Sequence, residues 1–154
     1  MGLSIEFYAG DAARIGAAFS AIQFDQIRNG TKAIAYADFS LHVGMEDLDL
    51  LSIVISDHTK EPLLLLLDHL TTNVGTMDDE GSADIVDPAW VTMVAALDVA
   101  DAPDVAAEWI RRVGESLEET LEPTTAAATA VGQLVGLCRK AILAQAEVVC
   151  AWYL

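Results

Sequence analysis

The sequence predicts an α+β domain in which a small sheet, mostly antiparallel or mixed, is covered by about six helices. Three observations support this fold class. Residues 3–9 and 148–154 carry β-branched and aromatic side chains, which predict a strand at each end of the chain. Residues 33–43 alternate between two faces in the same way. Elsewhere apolar residues recur at helical spacing, and 154 residues suit a single globular domain spanning 1–154.

The first half of the chain predicts a strand, a helix, a second strand and a second helix, in that order. Asp11 follows the first strand and is a typical N-cap for the helix after it. Asn29 and Gly30 form a strong turn signal before the second strand. After Gly44 the apolar residues lie on one helical stripe, so we expect a helix there, although part of the same stretch also fits a buried strand.

The stretch "SDHTKEPLLLLLDHL", residues 56–70, contains five consecutive leucines. Pro62 suits the first turn of a helix, where its missing N–H is not needed. Leucines at 63–67 would cover every side of a helix, so we expect this helix to be buried on most of its surface. A membrane-spanning helix would need about 20 apolar residues, and charged residues flank this run on both sides.

The second half predicts three further helices and the C-terminal strand. Asp87 followed by Pro88 marks one helix start, Pro103 opens the next, and Thr124 caps the last and longest. The apolar C-terminal strand must be held in the sheet. At a sheet edge it would be open to pairing with a copy of itself, so a structural homo-oligomeric subunit, in particular a homodimer, is one hypothesis for this chain.

The charge and the cysteines limit the classes of partner and the compartment. The net charge is −16, from 24 acidic and 8 basic residues. Such a chain repels nucleic-acid phosphates and anionic lipids, so we expect neither a nucleic-acid nor a membrane partner. Cys138 and Cys150 are too few for a disulfide framework, and residues 1–20 lack the pattern of a secretory signal. We therefore expect a cytoplasmic protein with free thiols.

The segment 75–87 is predicted to be the only long polar loop, and no basic residue interrupts its acidic residues. Its candidate binding residues are Asp78, Asp79, Glu80, Asp84 and Asp87. The leading hypothesis is a protein-binding module that recognises a basic partner, such as an inhibitor or immunity-type protein. The segment also fits a calcium-binding helix–loop–helix with Gly81 at its sixth position, but Thr76 stands where the first aspartate belongs.

The three histidines, His42, His58 and His69, are the candidates for a metal site or for acid–base chemistry. Two of them belong to Asp-His pairs that lie eleven residues apart. Pro62 interrupts any continuous helix between those pairs, and surface histidines at helix ends explain the pattern equally well. A small-ligand or metal-dependent enzyme that uses these histidines is therefore the alternative hypothesis. The sequence assigns no catalytic residue and no cofactor, since it contains neither a nucleophile elbow nor a phosphate-binding loop.

Overall fold

A computed structural model describes residues 2–30 and 32–154. Within them one antiparallel sheet has the strand order β2-β1-β5-β4-β3. Its strands are β1 (Ser4–Gly10), β2 (Ala33–Asp38), β3 (Leu70–Thr76), β4 (Gly81–Val86) and β5 (Glu147–Tyr153). The predicted α+β class is confirmed. The three predicted strands are present, the second ending earlier than expected, and β3 and β4 add a hairpin that the sequence analysis missed.

Six α-helices cover the sheet in the described part of the chain. They are α1 (Ala12–Ser20), α2 (Phe24–Arg28), α3 (Met45–Thr59), α4 (Pro88–Ala95), α5 (Ala102–Ser116) and α6 (Thr125–Ala144), with short 3-10 turns at Leu67–His69 and Val99–Asp101. The side chains of Asp11, Asp87 and Thr124 accept hydrogen bonds from backbone N–H groups in the first turns of α1, α4 and α6, as predicted. These caps satisfy amides that a helix leaves unpaired.

The two faces of the sheet bury different cores. Alternate residues of a strand point to opposite faces. Ile5 and Phe7 of β1 join a large apolar core with α3, α4, α5 and α6. Tyr8 faces the other way and joins a smaller core with α1 and α2. On one side α4 and α6 lie on the sheet and α3 and α5 pack against them, while α1 and α2 cover the other side.

The C-terminal strand β5 lies in the middle of the sheet, not at its edge. Ala151 pairs with Glu6 of β1 on one side and with Ala83 of β4 on the other. Both hydrogen-bonding edges of β5 are thus occupied within the chain. The expected strand is present, but it is not open to pairing with a copy, which removes the argument for a homo-oligomer through this strand.

The leucine run does not form the predicted buried helix. Lys60 ends α3 with a left-handed conformation, φ 63°, and the segment 61–66 has no regular secondary structure. It runs back along α3, because the Ser56 hydroxyl donates to the Glu61 carbonyl at 2.7 Å and the Leu67 N–H donates to Asp49 Oδ1 at 3.0 Å. Only Leu66 is fully buried within the run. Consecutive leucines have no helical period, so they suit an irregular segment whose side chains point in several directions.

The predicted long polar loop at 75–87 is also wrong. Most of it belongs to the β3–β4 hairpin, and only Met77–Glu80 connects the two strands. A calcium-binding helix–loop–helix needs a helix on each side of its loop, and here strands flank the turn. The same residues therefore form a hairpin that extends the sheet beyond β5.

One helix in the described part of the chain, α6, is long and apolar enough by length and composition to cross a membrane, with a mean hydropathy of 1.2. It packs against β1, β2, α4 and α5. Its residues Ala130, Val131, Leu134, Val135 and Cys138 are buried there. This is the usual position of a core helix, which needs an apolar surface for packing.

Candidate functional site

Three of the five predicted binding residues, Asp78, Asp79 and Glu80, form the exposed turn of the β3–β4 hairpin. We call this turn the hairpin tip. Its backbone is fixed by hydrogen bonds from the Met77 N–H to the Gly81 carbonyl at 3.0 Å and from the Leu154 N–H to the Glu80 carbonyl at 2.8 Å. A rigid frame thus presents three neighbouring carboxylates to solvent.

The other two predicted binding residues serve the fold. Asp84 accepts hydrogen bonds from Asn73 Nδ2 at 3.2 Å and from the Ser82 hydroxyl at 3.0 Å. Asp87 caps α4 at the far end of β4. Because a strand rises about 3.3 Å per residue, Asp87 lies roughly 20 Å from the hairpin tip. The structure therefore brings three of the five carboxylates together and separates the fifth from them.

Four of the arginines contact carboxylates or backbone carbonyls outside the hairpin tip. Arg28 pairs with the buried Glu6. Arg139 donates to the backbone carbonyls of Ala95 and Leu97, at 3.0 and 2.6 Å.

The pair Arg111 and Arg112 binds three carboxylates around α5. Both contact Glu108, Arg111 also contacts Glu115, and Arg112 reaches Asp57 of α3 at 3.1 Å. Hydrogen bonds from Arg111 and then Arg112 lower the pKa of Glu108 to about 2. Among the described residues no ion pair reaches the hairpin tip.

The three histidines lie apart from one another along α3. His42 precedes the helix and His58 lies in its last turn. A helix of 15 residues is about 22 Å long at 1.5 Å per residue, so these two rings cannot share a metal ion. His69 lies in the 3-10 turn, with Nδ1 2.7 Å from the Leu65 carbonyl. In the described part of the chain no three His, Cys, Asp or Glu side chains are placed to hold a metal.

A polar cluster that the sequence analysis missed lies under α2. Glu6 is only 2% exposed, and its carboxylate accepts hydrogen bonds from Tyr8, Arg28, Tyr36 and Tyr153. The Tyr36 and Tyr153 hydroxyls lie 3.3 and 3.2 Å from Oε1. The only sequence signal was a glutamate within the apolar strand "SIEFYAG". Its partners are distant in the chain, so the spacing of residues could not reveal them.

The cluster is held by buried electrostatics. Burial raises the pKa of Glu6, while the hydrogen bond and the positive charge of Arg28 oppose that rise. Burial, followed by the negative charge of Glu6, raises the pKa of Tyr36 and of Tyr153. Among the described residues no buried side-chain nitrogen or oxygen lacks a hydrogen-bond partner. The cluster therefore fastens α2 to the sheet and leaves no free group aimed at a ligand.

The two cysteines are both free and buried, as expected for a chain without a disulfide framework. Burial raises the pKa of the Cys138 and Cys150 thiols. Because the thiolate is the reactive form, neither is activated as a nucleophile.

Comparison with protein-family models, with curated proteins and with solved structures gave no match for this chain.

Proposed function

We propose that this chain is a non-enzymatic protein-binding module that recognises a basic partner protein through an acidic surface centred on the hairpin tip. The observation that carries the proposal is the distribution of charge. The chain has 24 acidic and 8 basic residues, and four of its arginines are bound at other places in the fold. The exposed carboxylates of the tip thus project a negative potential that a basic surface would complement.

The rigidity of the hairpin supports a recognition role. Since β4 pairs with the central strand β5 over its whole length, the tip is held by the core of the sheet. Binding to such a preformed surface orders few groups, so little conformational entropy is lost. Carboxylates in this position would mainly raise the rate of encounter and the specificity for a basic partner.

An inhibitor or immunity-type role fits this arrangement. A protein that blocks a basic toxin or nuclease has to compete with a polyanionic substrate, and an acidic surface offers the same charge to the same site. The resulting association would weaken as salt rises, because exposed charges are screened over about 8 Å at physiological ionic strength.

The test is capture of the partner by tagged protein from its native extract at low salt, with elution by rising salt. Three forms are compared. One is unchanged, one carries Asp78→Asn, Asp79→Asn and Glu80→Gln, and a matched control carries Glu61→Gln, Asp68→Asn and Glu147→Gln. All six substituted residues are exposed, and both triple variants remove the same charge.

We expect a basic protein to be retained by the unchanged chain and by the control. With the tip variant, we expect the association rate of that protein to fall about tenfold, with loss of most of the salt dependence. Equal retention by both variants, or a salt eluate without a stoichiometric basic protein, would refute the proposal.

A further inference from the structure

An apolar groove lies between the loop that follows β2 and the junction of α5 with α6. Its volume is about 470 Å³. Its apolar lining includes Leu41, Val43, Ile110, Val113, Leu117 and Leu121. Leu117 is 56% exposed, so the groove offers an aliphatic surface to solvent. Ligand sites commonly have volumes of about 300–1,000 Å³ and mostly apolar walls.

The wall of the groove beyond α5 is fixed by a helix-capping motif. Glu118 has a left-handed conformation, φ 56°. The Glu119 N–H donates to the Gly114 carbonyl at 2.8 Å, and the Glu118 N–H donates to the Glu115 carbonyl at 3.1 Å. These two bonds form a Schellman motif. A Cβ atom on Gly114 would lie 2.7 Å from the Glu119 carbonyl oxygen, so the chain can turn back this closely only over glycine.

The rim of the groove is acidic. Glu119 and Glu122 line it, and among the described residues no lysine or arginine does. The nearest arginines on α5, Arg111 and Arg112, are bound to carboxylates of α3 and α5. The C-terminal end of α5 also points toward this rim, and a helix C-terminus favours positive charge.

We propose that this groove binds a short amphipathic, cationic segment of another protein, with apolar side chains in the groove and lysines or arginines against Glu119 and Glu122. Charge complementarity selects this occupant. The rim repels anionic lipids and nucleic acid, and a second copy of this chain would bring a further net charge of −16. An amphipathic helix supplies apolar anchors at i, i+3, i+4 and i+7 with basic residues beside them, which is a common mode of groove recognition.

The proposal is tested with a short synthetic peptide of leucines and lysines, fluorescently labelled, whose leucines follow helical spacing. A peptide of the same composition, with its leucines scattered around the helix, serves as the control probe. Binding is measured by fluorescence anisotropy at low salt. Circular dichroism checks that each protein variant is folded.

Two pairs of protein variants separate the groove from the rest of the surface. Leu117→Ser removes an exposed apolar residue of the groove, and Leu143→Ser is its control, since Leu143 is 86% exposed and lies outside the groove. Glu119→Gln with Glu122→Gln neutralises the rim. Its control, Glu61→Gln with Asp68→Asn, removes the same charge from exposed residues outside the groove. A separate variant, Asp78→Asn with Asp79→Asn, reports on the hairpin tip.

We expect the amphipathic peptide to bind and the scattered peptide to bind at least tenfold more weakly. Leu117→Ser should weaken binding about tenfold, from the loss of one apolar contact, and the rim variant should weaken it a few-fold. Both control variants, Leu143→Ser and Glu61→Gln with Asp68→Asn, should bind like the unchanged protein.

Three results would overturn the inference. One is no binding of the peptide. Another is equal binding of both peptides, since equal binding would show that the protein attracts them by charge alone. The third is that the tip variant weakens peptide binding and the groove variants do not. That result would contradict the groove as a binding site and would not contradict the proposed function of the hairpin tip. Conversely, the peptide could bind through the groove while the capture experiment yields an empty salt eluate. That result would support binding at the groove and refute the proposed function of the hairpin tip.

Discussion

On the side of the sheet covered by α3–α6, β1 contributes Phe7 to an apolar core, whereas on the side covered by α1 and α2 the same strand contributes Glu6 to a polar cluster. The Phe7 ring lies parallel to Trp90, with centroids 5.9 Å apart, and meets Phe39 edge-on at 5.4 Å. The Glu6 carboxylate is held instead by hydroxyls and by Arg28.

The two faces of the sheet are stabilised in different ways. Apolar contacts on the side covered by α3–α6 are numerous and non-directional, so their contribution to stability scales with the apolar area that they bury. The other side has a smaller apolar core and adds to it a few directional bonds around one buried charge. A partner in those bonds that is left unpaired is costly. The contact of α2 with the sheet thus depends on electrostatics to a degree that α3–α6 do not share.

We expect the greatest loss of stability from a substitution in the apolar core beneath α3–α6. Trp90 is fully buried, and its Nε1 donates to the Ser52 hydroxyl at 3.0 Å. Trp90→Ala should lower the free energy of unfolding by about 3–5 kcal/mol, because it leaves a cavity and removes that donor. Urea denaturation followed by circular dichroism measures the loss. Phe24→Ala, in half-buried α2, should cost only roughly 1 kcal/mol, and equal losses would contradict the difference between the faces.

An intermediate effect is expected for Arg28. Arg28→Gln leaves the buried Glu6 carboxylate without its guanidinium partner and should lower the free energy of unfolding by about 1–3 kcal/mol. Adding Glu6→Gln should recover at least half of that loss, since a neutral amide still accepts from the tyrosines and needs no cation. The three variants form a double-mutant cycle in urea. Losses that simply add would show that the two side chains do not depend on each other.

The smallest effect is on the pH dependence of stability. The pKa of Glu6 is raised above its ordinary value of 4.5, chiefly by burial. Its stabilising contribution is therefore fully present below about pH 4.5 and is lost as the pH rises through the higher pKa of the folded state. The free energy of unfolding of the unchanged protein, minus that of Glu6→Gln, should grow as the pH falls toward 4.5. The charged or titratable groups close to Glu6 are Tyr8, Arg28, Tyr36, Asp38 and Tyr153.

Glu108 provides a control of opposite sign for that measurement. Its pKa is lowered to about 2 by Arg111 and Arg112. Its contribution is present above the ordinary value of 4.5 and is lost as the pH falls through the lowered pKa of about 2. The stability of the unchanged protein minus that of Glu108→Gln should therefore stay constant above about pH 4.5 and shrink as the pH falls from 4.5 toward 2. If the stability differences of both variants changed in the same direction as the pH falls, overall charge and not local contacts would govern the pH dependence of stability.

Local signals predicted much of the fold. The helix starts at Asp11, Asp87 and Thr124 follow from side chains that cap backbone amides, and they are present as expected. The end strands were recognisable because buried strands are rich in β-branched and aromatic residues. Strand β3, "LTTNVGT", was missed because most of its side chains are exposed on both faces, which leaves no alternation of apolar and polar residues to detect.

Less of the site could be predicted, since charge is visible in a sequence but its partners are not. The acidity around Asp78–Glu80 was evident, whereas the use of Asp84 and Asp87 within the fold depends on Asn73 and on the start of α4. The ion pair of Glu6 with Arg28 spans 22 positions, and Tyr153 reaches Glu6 across 147. Such contacts arise from strand order, which no local pattern in the sequence specifies.

The central position of β5 also sets an order of events during synthesis. The strand pairs β1–β2 and β3–β4 leave the ribosome first, but in the finished sheet the two pairs are not hydrogen-bonded to each other, since β5 lies between them. Until residues 147–153 emerge, the inner edges of β1 and β4 are both unpaired and open to contact with other nascent chains. The sheet is therefore completed only after translation of this last strand, and a chaperone that shields those two edges would act in that interval.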